Sequence, residues 1–235
     1  MKRKLLLFST IATLAFALCG CDSKDSKNDA KEEVTTEATT EATTEAQDIS
    51  EQTVPAERGV VENGVYTNEA FKISFPIAED WYVCNDAEIA QIIGFTADNL
   101  DENSSMTVEQ FEAATSGTVY DCVFYFSDMQ SNANITLTSL NRLAQYATLP
   151  TEDYAELSIS QLEAMSTPKY SFKETTHETC GGDDYVCITA ETDQGYNQKM
   201  LLKKENGYMV IITLTYLPEL EGEMQAFLDS FIEVN

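Results

Sequence analysis

Side chains able to do covalent or coordination chemistry are few in this chain: six cysteines and one histidine among 235 residues. Cys19 and Cys21 stand together where an apolar run ends, and Cys84, Cys122, Cys180 and Cys187 are spread through the rest. A zinc site needs clustered cysteine and histidine; no Cys-x-x-Cys occurs and His177 is alone. Any Ser-His-Asp or Cys-His arrangement would have to use His177, which lies in the polar run KETTHETC, and no Gly-x-Ser-x-Gly elbow exists. Gly181-Gly182 reads as a turn and not as a phosphate-cradling loop. Carboxylates are plentiful, so a hydrolase built on a carboxylate pair stays open as a reading. Two acidic clusters, Asp98/Asp101/Glu102/Asn103 and Asp183/Asp184, do not follow the spacing of a calcium loop and read as solvated loops. We therefore expect no catalytic residues, no metal and no cofactor.

Cys19 and Cys21 point to a different chemistry, acylation of a thiol. Lys2, Arg3 and Lys4 precede Leu5–Leu18, an apolar stretch of 14 residues interrupted only by Ser9, Thr10 and Thr13. Spanning a bilayer takes about 20 residues, so this run fits a secretory signal and not a membrane helix. Leu18-Cys19-Gly20-Cys21 resembles the lipobox of bacterial lipoproteins. The resemblance implies cleavage between Gly20 and Cys21, residues 1–20 being the signal peptide. Cys21 would then carry the lipid, palmitate-type chains included. Each buried methylene contributes about 0.8 kcal/mol, so one chain holds a protein marginally and two or more hold it stably. The expected location is the extracytoplasmic face of the cell membrane, lipid-anchored.

Residues 21–58 have the composition of a tether. Between 22 and 57 there is no Phe, Trp, Tyr, Leu or Met, and Thr-Thr-Glu-Ala repeats three times from Thr35 to Ala46. Paired β-branched threonines oppose helix and no apolar stripe exists to dock, so a disordered spacer is expected. Residues 22–57 carry 11 acidic and 3 basic side chains, a balance of −8. A self-repelling chain of that length reaches on the order of 35 Å.

Residues 59–235 have globular composition and the size of one domain with a real core. From Arg58 onward, 8 basic and 29 acidic side chains give −21. Such a surface repels phosphate backbones, which argues against nucleic acid as a partner. Outside the cell, four cysteines invite disulfides. Cys84 and Cys122 sit in apolar strand-like runs and read as buried thiols; Cys180 and Cys187 flank a Gly-Gly-Asp-Asp turn and are the candidate pair.

Periodicity places the elements that would position these groups. Phe71, Ile73 and Phe75 alternate up to Pro76, and Trp81–Cys84 forms a short second strand. Asn85 or Asp86 caps a helix running toward Ile93, and Thr107 opens another. Val119–Phe126 and Ile135–Leu140 read as strands. Pro150-Thr151 starts a helix with Tyr154, Ala155, Ile159, Leu162 and Met165 on one face. Strands follow at Tyr170–Glu178, Tyr185–Glu191 and Gln198–Lys204, and Asn206-Gly207 is the strongest hairpin signal, leading into Tyr208–Tyr216. Pro218 opens a final helix with Leu220, Met224, Phe227, Leu228 and Phe231 aligned. Short turns imply an antiparallel sheet, and the amphipathic helices supply its covers: an α+β fold in a single globular domain.

Gly64-Val65-Tyr66-Thr67-Asn68, then FKISFP and Trp81, resembles the opening of PsbP-like domains, named for an accessory subunit of photosystem II. Asp86-Ala87-Glu88-Ile89-Ala90, Glu152-Asp153-Tyr154, Phe227 and Ser230-Phe231 continue the likeness over nearly the whole domain. The resemblance implies an α/β/α sandwich and an accessory or binding role, and it brings no catalytic residues; with the anchor and the spacer, the expected partner is a protein of the envelope. A lipoprotein of this size could instead present a small solute to a transporter, although such proteins usually need two lobes and a cleft.

Overall fold

The computed structural model describes residues 56–92, 117–141 and 147–234. The signal peptide, Cys21, most of the tether, the helix expected at Thr107 and the acidic cluster at Asp98–Asn103 lie outside the described residues.

Two Asn-Gly dipeptides set hairpins, one in each sheet. Asn63-Gly64 (φ 52° and 74°) and Asn206-Gly207 (φ 51° and 80°) place both central turn residues in the left-handed region, as a two-residue hairpin requires. The first joins β1 (Val60–Glu62) to β2 (Val65–Asn68), which continues into β3 (Ile73–Pro76) as a three-stranded antiparallel sheet. The other strands form a second sheet: β4 (Tyr82–Val83), β5 (Thr118–Tyr125), β6 (Asn132–Ser139), β7 (Tyr170–Phe172), β8 (Thr176–Cys180), β9 (Asp183–Thr192), β10 (Asn197–Glu205) and β11 (Tyr208–Tyr216). Its order is β4-β5-β6-β11-β10-β9-β7, with β8 also on β9. Every pairing is antiparallel.

The large sheet is covered on both sides, which explains why VFYF and MVIITL lack clean alternation. Its inner face, Val119, Phe124, Ile135, Leu137, Val210, Ile212 and Leu214, packs against the small sheet (Tyr66, Phe71, Ile73, Phe75) and helix α3 (Glu221–Asp229; Met224, Phe227, Leu228). On the outer face, α1 (Asp86–Ile92) covers β5 through Ile89, and α2 (Thr151–Glu163) covers β9–β11 through Tyr154, Ala155 and Leu162. The α+β fold with an antiparallel sheet flanked by helices is thus observed, with one addition: the first strands make a separate sheet that shares the inner face with α3. Asn85 caps α1 through a reciprocal pair, its Oδ1 accepting from Glu88 N (3.1 Å) and its N donating to Glu88 Oε2 (2.8 Å).

The run expected as one strand, Tyr170–Glu178, is two. β7 pairs with Thr192–Ala190 and β8 with Cys187–Asp183, so both occupy the same edge of β9 with a break between them. The same register corrects the expected disulfide. The hairpin turn is Gly181-Gly182 alone, and Asp183 and Asp184 already belong to β9. Cys180 therefore lies opposite Asp183 while Cys187 lies opposite Thr176, four residues along the ladder, roughly 13 Å at strand rise and beyond the reach of a disulfide. All four domain cysteines are buried free thiols. Burial is the main cause pushing Cys84 and Cys180 up to about 12 and Cys187 up to about 11, and Cys122 is raised too. We predict that these thiols react slowly with a disulfide reagent at about pH 8 and rapidly once the chain is unfolded, because the thiolate is the reactive form. A fast-reacting thiol in the native protein, or a reduction-dependent gel shift, would contradict this.

Candidate functional site

In the apolar stretch VYDCVFY of β5, Asp121 is the one charged residue. The β5–β6 register shifts between Tyr120 and Cys122. This bulge sets two successive residues toward the small sheet: Cys122 joins the inner core, and Asp121 meets β2. Asp121 is 3% exposed. A carboxylate so placed needs partners supplied by the chain. Tyr66 donates its hydroxyl to Oδ2, Asn68 donates Nδ2–H to the same oxygen at 2.8 Å, and the Gly59 amide donates to Oδ1 at 2.6 Å. Tyr66 and Asn68 are two apart on a strand and so share a face, and the Tyr-x-Asn stretch thereby holds one buried carboxylate with two side chains.

The network also ties down the chain that enters from the tether. Arg58 donates through Nε (3.1 Å) and Nη2 (2.9 Å) to the backbone carbonyl of Asp121 and pairs with Asp86 at the start of α1. Asn68 Nδ2 also donates to Glu57 O at 2.9 Å, and its Oδ1 accepts from Phe71 N at 3.3 Å. Ala56 is buried in the inner core. At Gly59 a Cβ would stand 2.5 Å from the Tyr66 ring, so only glycine lets the backbone pass close enough to reach Asp121.

Burial is the dominant influence on Asp121 and pushes its carboxyl above the usual range, against the pull of Tyr66, Gly59, Asn68 and Arg58. Tyr66 is raised as well, first by burial and then by the adjacent carboxylate. A general acid or base must be able to reach a substrate proton. Both Asp121 oxygens are occupied by the protein's own donors, so the arrangement clamps the chain and does not present a reactive group.

Beside this clamp lies a groove of about 500 Å³ on the outer side of the β1–β2 hairpin. Glu57, Arg58, Val60, Glu62, Thr67 and Glu69 are among its walls. It shares Glu57, Arg58 and Asn68 with the clamp, so a rigid network forms one wall of a concave surface.

The sequence candidates are dispersed. His177 is exposed on β8, and its neighbour Glu178 accepts from Lys199 Nζ at 2.9 Å. Asp183 pairs with Lys203, and Asp184 accepts from Thr179 Oγ1 at 2.8 Å. Among the described residues no group of three or more His, Cys, Asp or Glu is placed to hold a metal ion, and no helix is long and apolar enough to cross a membrane. Sequence reasoning passed over Asp121 and Arg58. A lone acid inside an otherwise apolar strand was the signal that could have found the first; the second carries no local signal.

No protein-family model and no curated protein sequence matches the chain. Among solved structures it is similar to the cyanobacterial PsbP, CyanoP, from Synechocystis, at 10% identity and a TM-score of 0.44, covering 75% of this chain and 97% of that one. It is also similar to LpqN, involved in cell envelope biogenesis of Mycobacterium tuberculosis, at 9% identity and a TM-score of 0.38, covering 69% and 83%. A protein of unknown function from Pseudomonas aeruginosa matches at 14% identity and a TM-score of 0.33, covering 43% and 70%.

Proposed function

We propose that the chain is a lipoprotein held at the extracytoplasmic face of the cell membrane by acyl chains on Cys21. Its folded domain serves there, without catalysis, as an accessory module for a protein partner in the envelope. The observation that carries this reading is Leu18-Cys19-Gly20-Cys21 at the end of a 14-residue apolar leader that opens on three basic residues, followed by a stretch, 22–57, without Phe, Trp, Tyr, Leu or Met. Two structural features support the non-catalytic part: Asp121 is consumed by its own network, and His177 is exposed and apart from the clamp.

The anchor is tested by Cys21→Ser. Without the acylated sulfur, the protein should leave the membrane fraction and cease to incorporate labelled palmitate, since the burial of many methylenes is lost at once. Unchanged fractionation would overturn the anchor. The partner is tested by cross-linking on intact cells followed by identification of the attached protein; the adduct expected is one envelope protein recovered repeatedly, and monomer alone would overturn the accessory role.

A further inference from the structure

β1 ends the small sheet, and register decides which of its backbone groups face outward. The two-residue Asn63-Gly64 turn makes Glu62 and Val65 the hydrogen-bonded closing pair. On the other side of Val65 stands Pro76, which has no N–H to give and at that position owes none. Bonding then alternates: Tyr66 turns to Phe75 of β3, and Val61, opposite Tyr66, points its N–H and C=O away from β2. Gly59, two residues back, points the same way, and its N–H is the one that Asp121 accepts. Among the described residues nothing takes up the outward groups of Val61.

Proteins blunt such edges with lysine, proline or a bulge. β1 is short but has none of these: it reads Val60-Val61-Glu62, with the valines 57% and 45% exposed. Their side chains stand on opposite faces. Val61 shares the face of Tyr66, which is 1% exposed, so β1 overhangs the covered core and an added strand would bury part of both valines. On the other face Val60 lies in the groove of about 500 Å³ with Glu57, Glu62 and Glu69. Arg58, the basic residue of that wall, is committed to the Asp121 carbonyl and to Asp86. None of the three glutamates has an ion pair among the described residues.

We propose that the β1 edge docks a basic, extended segment of a partner protein, which adds a strand beside Val61 and sets lysine or arginine side chains toward Glu57, Glu62 and Glu69. In strand addition the main-chain bonds give affinity and alternate side chains give specificity. Charge decides the occupant. A second copy carries −21 from Arg58 onward and is repelled. The chain's own remaining stretches fit no better: residues 22–57 carry −8, and residues 93–116 contain five acids and no lysine or arginine. A basic segment complements all three glutamates. Docking here rests on the accessory reading and gives it a surface and a partner chemistry.

The test uses the full-length chain, in lipid nanodiscs where acylated. The probe is a short labelled peptide of alternating lysine and valine; its controls are the glutamate–valine counterpart and the lysine–valine peptide N-methylated at every amide. Fluorescence anisotropy should show the first binding and neither control doing so, and exchange of the Val61 amide should slow when the peptide is bound. Val61→Pro removes the outward N–H where an edge strand tolerates proline, so it should keep the urea midpoint and weaken binding about tenfold, the loss of one hydrogen bond. Glu62→Lys/Glu69→Lys should reverse the choice to the glutamate–valine peptide. No binding of the lysine–valine peptide, equal binding of its N-methylated form, or wild-type binding by both variants would overturn the proposal. On intact cells, loss of the cross-linked envelope partner in Glu62→Lys/Glu69→Lys alone supports it; capture of that partner by wild type and variant alike would remove docking from β1 and leave the accessory role standing.

Discussion

Asp121→Ala should lower the free energy of unfolding by about 3–5 kcal/mol, because it removes the shared acceptor of a buried network and leaves three polar donors behind, each costing about 1–3 kcal/mol where it stays unpaired. Tyr66, Asn68 and the Gly59 amide would each lose the oxygen they donate to, at 2.8 Å and 2.6 Å in the latter two cases. Asp121→Asn keeps the volume and one acceptor but turns an amide N–H toward a donor, and a loss of about 1–3 kcal/mol is expected. Urea denaturation of the two variants measures both, and a loss below about 0.5 kcal/mol, the range of ordinary surface substitutions, would show that the network does not hold the fold. The pH dependence has a defined sign. Burial raises the folded carboxyl above its unfolded value near 3.9, so the folded chain keeps the proton more readily. Asp121's contribution is then fully present below the unfolded value and is lost as pH rises through the raised folded value. Wild type should gain on the Asp121→Asn variant as pH is lowered through that window; a gap independent of pH would refute the raised carboxyl.

Phe75→Ala should be comparably severe, at about 3–5 kcal/mol, from lost transfer energy plus the cavity left behind. Phe75 is fully buried on β3, and its ring lies 4.8 Å from Tyr66, 5.6 Å from Phe124 and 5.1 Å from both Phe227 and Phe231. It thereby joins the small sheet, the large sheet and the C-terminal helical segment in one contact set. Phe75→Leu should cost less than about 1.5 kcal/mol if the neighbours can close around it. Tyr66 stacks on Phe75 and donates to Asp121, so the doubly substituted Phe75→Ala/Asp121→Ala chain should lose less than the sum of the two. Strict additivity, seen in the same urea experiment, would mean that the aromatic cluster and the clamp act separately.

Where side-chain periodicity was strong, the elements were legible. β11 runs over Tyr208–Tyr216 as expected, the helix after Pro150 spans Thr151–Glu163, and Asn206-Gly207 makes the hairpin. β6 begins three residues earlier than Ile135, since Asn132 and Asn134 carry no strand propensity and are drafted into the ladder by β11. The last helix starts as a 3-10 turn over Pro218–Leu220 and becomes α3 only at Glu221, with Phe231 packing from beyond its end. Asn63-Gly64 passed unnoticed because Val60 and Val61 before it are exposed on both faces and show no alternation. The clamp was hidden for a different reason. Arg58, Gly59, Tyr66, Asn68 and Asp121 belong to three separate stretches, and what unites them is a bulge whose position depends on the pairing of β5 with β6.

That dependence matters for anyone trimming the gene to obtain a soluble fragment. The regular ladder begins at Val60, which invites a boundary there, yet such a cut would discard Ala56 from the interior, the guanidinium bridging two elements and the glycine that reaches the carboxylate. A clone opening at or before Pro55 keeps the complete folding unit; one opening at Val60 would express a protein with an internal anion stripped of part of its solvation.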